Sequence, residues 1–324
     1  MRALRKHISE NQKNKLIAKS SNSTAQGGVF VKQQLFRGAA TALITPLTEN
    51  GVDFESLEKL VDWQINEGID ALVICGSTGE KATLNDNEHR DVLRCAVKTA
   101  AGRVPIIAGT GSNDTAHAVW MTKEAGEIGC DGMLVCTPYY NKSTQKGLVT
   151  MFETIAAATE KPIIVYNVPS RCGIGIKPET YAEIAKIENV TGIKEANGDI
   201  SEIAKTMALV GNDISLYSGN DDQIVPIMSL GGQGVVSVIS NLMPKRTAEL
   251  CKTAFSGDFA AAAKEQLELL PLMNALFSEV NPIPVKAAMA KMGFCNDYLR
   301  LPLVPMEREH REVLYKLMKE QGII

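Results

Sequence analysis

A chain of 324 residues, 45% hydrophobic and 22% charged, is long enough to bury a large core and has the balance of a globular protein. A formal net charge of -3 offers no basic surface to nucleic acid, and no apolar run approaches the roughly 18–20 residues of a membrane span. The seven cysteines show no C-x-x-C pair and no clustering with the four histidines, so they read as core residues or free thiols of a reducing, cytoplasmic setting, with neither metal nor cofactor expected.

Residues 1–34 differ from the rest. Seven Lys and Arg face a single acid, Glu10, and "SSNSTAQGG" has the low apolar content of a linker. The segment is read as a flexible extension outside the fold. An organelle transit peptide is the alternative, since a basic, acid-poor, serine-containing start also suits one.

From Phe36 a unit repeats: a short apolar run, a polar or glycine-rich break, then about a dozen residues at helical spacing. The runs are "AATALI" (39–44), "ALVICG" (71–76), "PIIAGT" (105–110), "GMLVCT" (132–137), "PIIVYN" (162–167), "TGIKEA" (191–196), "ISLYSG" (214–219) and "GVVSVIS" (234–240). Between them lie helices such as 54–68, with Leu57, Leu60, Val61 and Ile65 on one face, and 86–102, with an acidic first turn and a terminal glycine. Continuous rather than alternating apolar runs mean strands buried on both faces. Eight such strands alternating with helices predict a closed (β/α)8 TIM barrel over 35–257. After that the strands stop, and 258–324 reads as a C-terminal helical domain.

Chemistry in such a barrel lies at the carboxyl ends of the strands. "GSTGE" (76–80), "TPYYNK" (137–142), "YNVPSRCG" (166–173), Lys194 and "SGND" (218–221) all fall there. Lys194 is the nucleophile candidate, because a lysine in a dry barrel loses its charge readily and the neutral amine attacks a ketone to form an imine. A structural salt bridge to Glu195 is the competing reading, but neighbours on a strand point to opposite faces. Tyr166 is the acid–base candidate against the plainer reading of a packed ring. Ser77 or Thr78 can hydrogen-bond it, and Tyr140 can extend the relay. The "GSTG" amides suit a carboxylate, or are an ordinary tight turn. Arg171 suits a carboxylate in two-pronged fashion, or is a surface residue. "LGGQGVVS" (230–237) admits a phosphate loop or close strand packing.

Taken together, "GSTGE", "IAGTGSN", "TPYYNK", "YNVPSRCG", "GIKEANG" and "NPIPVK" resemble the dihydrodipicolinate synthase family of the class I aldolase superfamily, over about 36–324. The resemblance implies condensation of pyruvate with aspartate-4-semialdehyde, the entry step to diaminopimelate and lysine, in a homotetramer with no nucleic-acid or membrane partner. It implies Lys194 as the Schiff-base lysine and Tyr166 as proton donor and acceptor. Thr78 corresponds to the pyruvate carboxylate ligand, and Ser77 to a relay hydroxyl where the family usually has threonine. Tyr140 corresponds to a relay tyrosine contributed by a neighbouring subunit. Arg171 matches the arginine at the semialdehyde entrance, and Val236 the position whose main-chain carbonyl lines the pyruvate pocket. Asn220 stands where many members have aspartate. Another pyruvate-dependent lyase of the superfamily is the alternative, against which Arg171 argues. A catalytically inactive keto-acid-binding protein would be expected to have lost Lys194 or Tyr166.

Overall fold

The structure is a computed structural model that describes residues 32–324. Most of the extension expected at 1–34 therefore lies outside the described residues. Lys32 and Gln34 lie within them and touch the fold. The Lys32 ammonium donates to the carbonyls of Ala185, Ile187 (2.6 Å) and Val190 (2.9 Å), and Gln34 meets the Gln233 side chain at 3.1 Å.

Eight parallel strands close into a barrel: β1 Gly38–Ala42, β2 Ala71–Ile74, β3 Ile106–Gly109, β4 Gly132–Cys136, β5 Ile163–Asn167, β6 Val190–Glu195, β7 Ser215–Ser218 and β8 Gly234–Ser237. Each pairs with the next in sequence, and β8 closes on β1 with Gly38 opposite Gly234 and Ala40 opposite Val236. The closure demands glycine at 234. Its φ is 129°, and a Cβ there would lie 1.8 Å from the Gly38 carbonyl oxygen.

The strands are buried on both faces, as their composition predicts. Outward residues such as Leu72, Ile106, Val135, Val165 and Ile193 meet the helices, while Ala40, Val73, Ile107, Leu134, Ile164, Tyr166 and Val236 fill the lumen. Tyr217 seals the end away from the strand termini. Its ring stacks on Phe36 at 4.2 Å, and its hydroxyl donates to the Phe36 carbonyl at 2.6 Å.

Several loops that follow the strands are fixed by the helix starts beyond them. The helix Asp86–Ala100 begins at Asn85, which accepts from the amides of Asn87 and Glu88 while Glu88 accepts from the Asn85 amide. Asp53, Asp114, Thr144 and Asp199 cap the helices after β1, β3, β4 and β6, each by a side-chain oxygen that accepts from a first-turn amide. Each such cap is worth about 1 kcal/mol.

Beyond β8 only helices follow, among them Phe259–Ala275, Ile283–Lys291 and Arg308–Glu320. This C-terminal region is stapled onto the turn after β2 and the helix that follows it. The Arg300 guanidinium holds both carboxylate oxygens of Glu88 at 2.7 and 2.5 Å, and Lys286 forms a fully buried ion pair with Glu80. No helix among the described residues is long and apolar enough to cross a membrane.

Candidate active site

The carboxyl ends of β5 and β6 bring the two central groups together. Tyr166 and Lys194 are register partners. Partners in a parallel ladder share a face, and the Lys194 ammonium lies 4.2 Å from the centre of the Tyr166 ring. Glu195 goes to the other face. Its buried carboxylate accepts from the Tyr181 hydroxyl at 2.7 Å, from Asn167 Nδ2 at 2.9 and 3.1 Å and from the Asn197 amide at 2.9 Å. The salt-bridge reading of Lys194 thus fails for the reason period-two geometry gives. The lysine and glutamate are adjacent in sequence and occupy separate layers of the barrel.

Burial sets the charge of the site. Lys194 is 6% exposed. Desolvation pulls its pKa from 10.5 down to about 7, against the attraction of Asp221 and with help from the Arg171 charge. Tyr166 is buried beside it. Desolvation raises its phenol above the ordinary value, opposed by the Arg171 charge and the Ser77 hydroxyl, so it holds its proton at neutral pH. At that pH a protonated phenol thus faces an amine poised to lose its own proton.

Thr78 and Arg171 meet through a residue far along the chain. Asn281 donates through Nδ2 to the buried Thr78 hydroxyl at 2.9 Å, and its main-chain carbonyl accepts from Arg171 Nη2 at 3.0 Å. Arg171 sits on a single helical turn, Pro169–Cys172, with its side chain exposed at the mouth. Ser77 lies on the exposed side of the turn after β2 and Val236 on the inner face of β8, packed in the same cluster as Tyr166. Tyr140 is not brought in. It is 92% exposed and has a φ of 67°, a left-handed conformation that costs a non-glycine residue of order 1 kcal/mol.

The model of the dihydrodipicolinate synthetase family matches residues 35–321, nearly the whole of the described chain. The chain belongs to this family. A 4-hydroxy-tetrahydrodipicolinate synthase of Thermoanaerobacter sp. (strain X514) is 50% identical over 291 residues, 90% of this chain and 98% of that protein. The solved dihydrodipicolinate synthase of Thermotoga maritima superposes with a TM-score of 0.88 at 44% identity, covering 90% of this chain and all of that one. A chloride-inhibited dihydrodipicolinate synthase of Acinetobacter baumannii, solved with pyruvate, gives a TM-score of 0.87 at 42% identity over 89% of this chain and 99% of that one.

Within this dihydrodipicolinate synthetase-family barrel, sequence reasoning overlooked two acids and an amide. Asp221, next to the Asn220 that drew attention, is buried. Its Oδ2 accepts from the amides of Val238 (3.0 Å) and Ile239 (2.8 Å), and it is the acid that pulls on Lys194. Glu80 and Asn281 tie the "GSTGE" turn to "NPIPVK". The available signal was Lys286 itself, a lone cation inside the apolar run "PIPVKAAMA".

Proposed function

We propose that the chain condenses pyruvate with L-aspartate-4-semialdehyde to 4-hydroxy-tetrahydrodipicolinate through an imine on Lys194. The observation that carries this reading is Lys194 itself, buried at the mouth of a family barrel with its pKa near 7 and Tyr166 against it. The neutral Lys194 amine attacks C2 of pyruvate. Tyr166 gives its proton to the former carbonyl oxygen, which leaves as water, and takes a proton back as the imine relaxes to an enamine. The enamine carbon then attacks the aldehyde. Thr78 and the amides of its turn hold the pyruvate carboxylate, Ser77 relays protons to Tyr166, and the Val236 carbonyl lines the pyruvate pocket.

Tyr140 completes the relay from a neighbouring subunit in a homotetramer. Its full exposure together with its left-handed backbone supports this, since an aromatic ring held out in solvent in that conformation gains nothing within its own chain. The enzyme is cytoplasmic in this reading. The division into an extension 1–34, a catalytic barrel 35–257 and a helical domain 258–324 belongs to the same reading, supported by the absence of strands after Ser237 among the described residues.

Arg171 binds the carboxylate of the semialdehyde at the entrance. Arg171→Ala is expected to raise the KM for the semialdehyde by about tenfold or more, the scale of a lost charged hydrogen bond. Trapping of pyruvate on the protein should stay largely intact. An equal loss of trapping would make Arg171 a structural residue. The test of the whole reading is turnover with two aldehydes. Product is expected from pyruvate with aspartate-4-semialdehyde and none with N-acetylmannosamine; the reverse would assign the chain to sugar-acid cleavage.

A further inference from the structure

One step beyond Tyr166 and Lys194 the barrel holds a second pair that the mechanism does not use. Asn167 and Glu195 are the last residues of β5 and β6 and face each other in the same ladder. Strand alternation turns them away from the lumen, and they are 1% and 0% exposed. Asn167 uses both ends of its amide. Nδ2 donates to the two Glu195 oxygens at 2.9 and 3.1 Å, and Oδ1 accepts from the Ile176 amide at 3.1 Å. Glu195 also accepts from the Tyr181 hydroxyl at 2.7 Å and the Asn197 amide at 2.9 Å. The main chain continues the seam. The Ala196 amide donates to the Asn167 carbonyl at 2.9 Å, and the Gly219 amide, just past β7, to the Glu195 carbonyl at 2.7 Å.

We infer that Asn167 and Glu195, with Tyr181 holding the carboxylate, are positioning residues: their link across the end of the β5–β6 ladder keeps Tyr166 against Lys194 and ties down the chain that leaves the Arg171 turn. This role rests on the Lys194 imine proposed above and adds what aims it. Tyr166 and Lys194 stand one residue from the ends of their strands, where a parallel ladder runs out of backbone bonds. A side-chain bond on the next rung stops the two ends from splaying. Ile176 and Tyr181 follow the turn Pro169–Cys172 in sequence, so the same rung anchors the segment behind Arg171.

Stability alone is a poor reason for an acid at this place. Tyr181, Asn167 and Asn197 are all neutral donors, and desolvation pushes the Glu195 carboxyl up to about 7 against them. Well-packed apolar residues in place of buried charge are often at least as stable. What an apolar pair cannot supply is a directional bond on the rung beside the reacting groups. The place also requires an acceptor at both oxygens. A glutamine at 195 would turn its Nε2 toward Asn167 Nδ2 whichever way its amide is set, and toward either the Tyr181 hydroxyl or the Asn197 amide as well. Misplacement of reacting groups by about 1 Å costs on the order of a hundredfold in rate.

The experiment follows borohydride trapping of pyruvate on the full-length protein at pH 9, where the native Lys194 amine is already neutral, and does not depend on which aldehyde is the substrate. At saturating pyruvate, Glu195→Gln should trap on the order of a hundredfold more slowly, with the KM for pyruvate little changed. Asn167→Asp, which sets two carboxyl groups face to face, should be slowed as much. The double variant Asn167→Asp/Glu195→Gln puts one donor and one acceptor back across the rung and still serves the Ile176 and Asn197 amides. It should regain about tenfold of the lost rate. Tyr181→Phe removes one donor and no charge, and should be slowed several-fold; it carries the test if Glu195→Gln does not fold. A folded Glu195→Gln or Tyr181→Phe that traps at the native rate would overturn the positioning role. So would a double variant no faster than the slower single, since a merely structural loss is not repaired by exchanging donor and acceptor. A native chain that forms no adduct on Lys194 would instead overturn the imine reading beneath it.

Discussion

Lys194→Ala is expected to lower turnover by roughly ten-thousandfold or more, the range seen when a covalent nucleophile is removed. The fold should survive. The substitution removes an amine that burial already disfavours in its charged form, and the carboxylates nearby are held by other donors. The sign of that burial matters. A lysine whose folded pKa lies near 7 rather than 10.5 binds its proton more weakly folded than unfolded, so it reduces stability in full below about pH 7, and this cost fades as pH rises toward 10.5. Alanine removes the cost. Thermal unfolding of the variant at pH 6 should therefore be no lower than that of the native chain, apart from the loss of side-chain packing. A variant that is inactive because it is unfolded would show otherwise. Retention of more than a small fraction of turnover would place the nucleophile elsewhere.

Lys286→Met carries the largest expected effect on stability. Lys286 and Glu80 have side chains 0% and 1% exposed, and they join positions 206 residues apart. Removing one partner of such a pair leaves a buried charge uncompensated and costs about 3–5 kcal/mol. For a chain of this size that corresponds to a fall of roughly 10 °C in Tm. Glu80 closes the turn that carries Ser77 and Thr78, and its second oxygen receives the Arg300 amide at 3.5 Å. Loss of the lysine should therefore loosen the carboxylate subsite and raise the KM for pyruvate alongside the fall in Tm. Pairing Lys286→Met with Glu80→Gln should restore part of the stability, because the double change removes both charges. An unchanged Tm in the single variant would show that the pair contributes nothing, and a double variant no better than the single would show that packing rather than charge was lost.

The barrel was legible because its strands are short continuous apolar runs, a pattern that only burial on both faces produces. The runs overestimate some ends, and the reason is visible at β8. "GVVSVIS" continues apolar to Ile239, but the strand stops at Ser237 because the amides of Val238 and Ile239 turn away to the Asp221 carboxylate. The first run behaves alike. "AATALI" reaches Ile44, whereas β1 ends at Ala42 and the Ile44 amide is taken by the Asn241 side chain at 3.1 Å. In both cases a polar side chain distant in sequence supplies the acceptor, and periodicity carries no record of it.

The site divides in the same way. Lys194 and Tyr166 were legible because strand-end position and face alternation are local properties, and register then sets them side by side. Asn281 was not, because its contact with Thr78 spans 203 residues and nothing near either position implies the other. Tyr140 shows a different limit. Its sequence neighbours mark it as a mouth residue, yet its ring faces solvent in the single chain, and a second subunit is what the proposed relay would need.

The most direct measurement is borohydride trapping with pyruvate, followed across pH with the modified peptide mapped by mass. The reduced adduct is expected on Lys194 alone. Its rate of formation should rise through a midpoint near pH 7, where a lysine of pKa 7 offers on the order of a thousandfold more neutral amine than one of pKa 10.5. An adduct on any other lysine, or one that persists in Lys194→Ala, would contradict the account, as would a trapping rate that climbs only near pH 10.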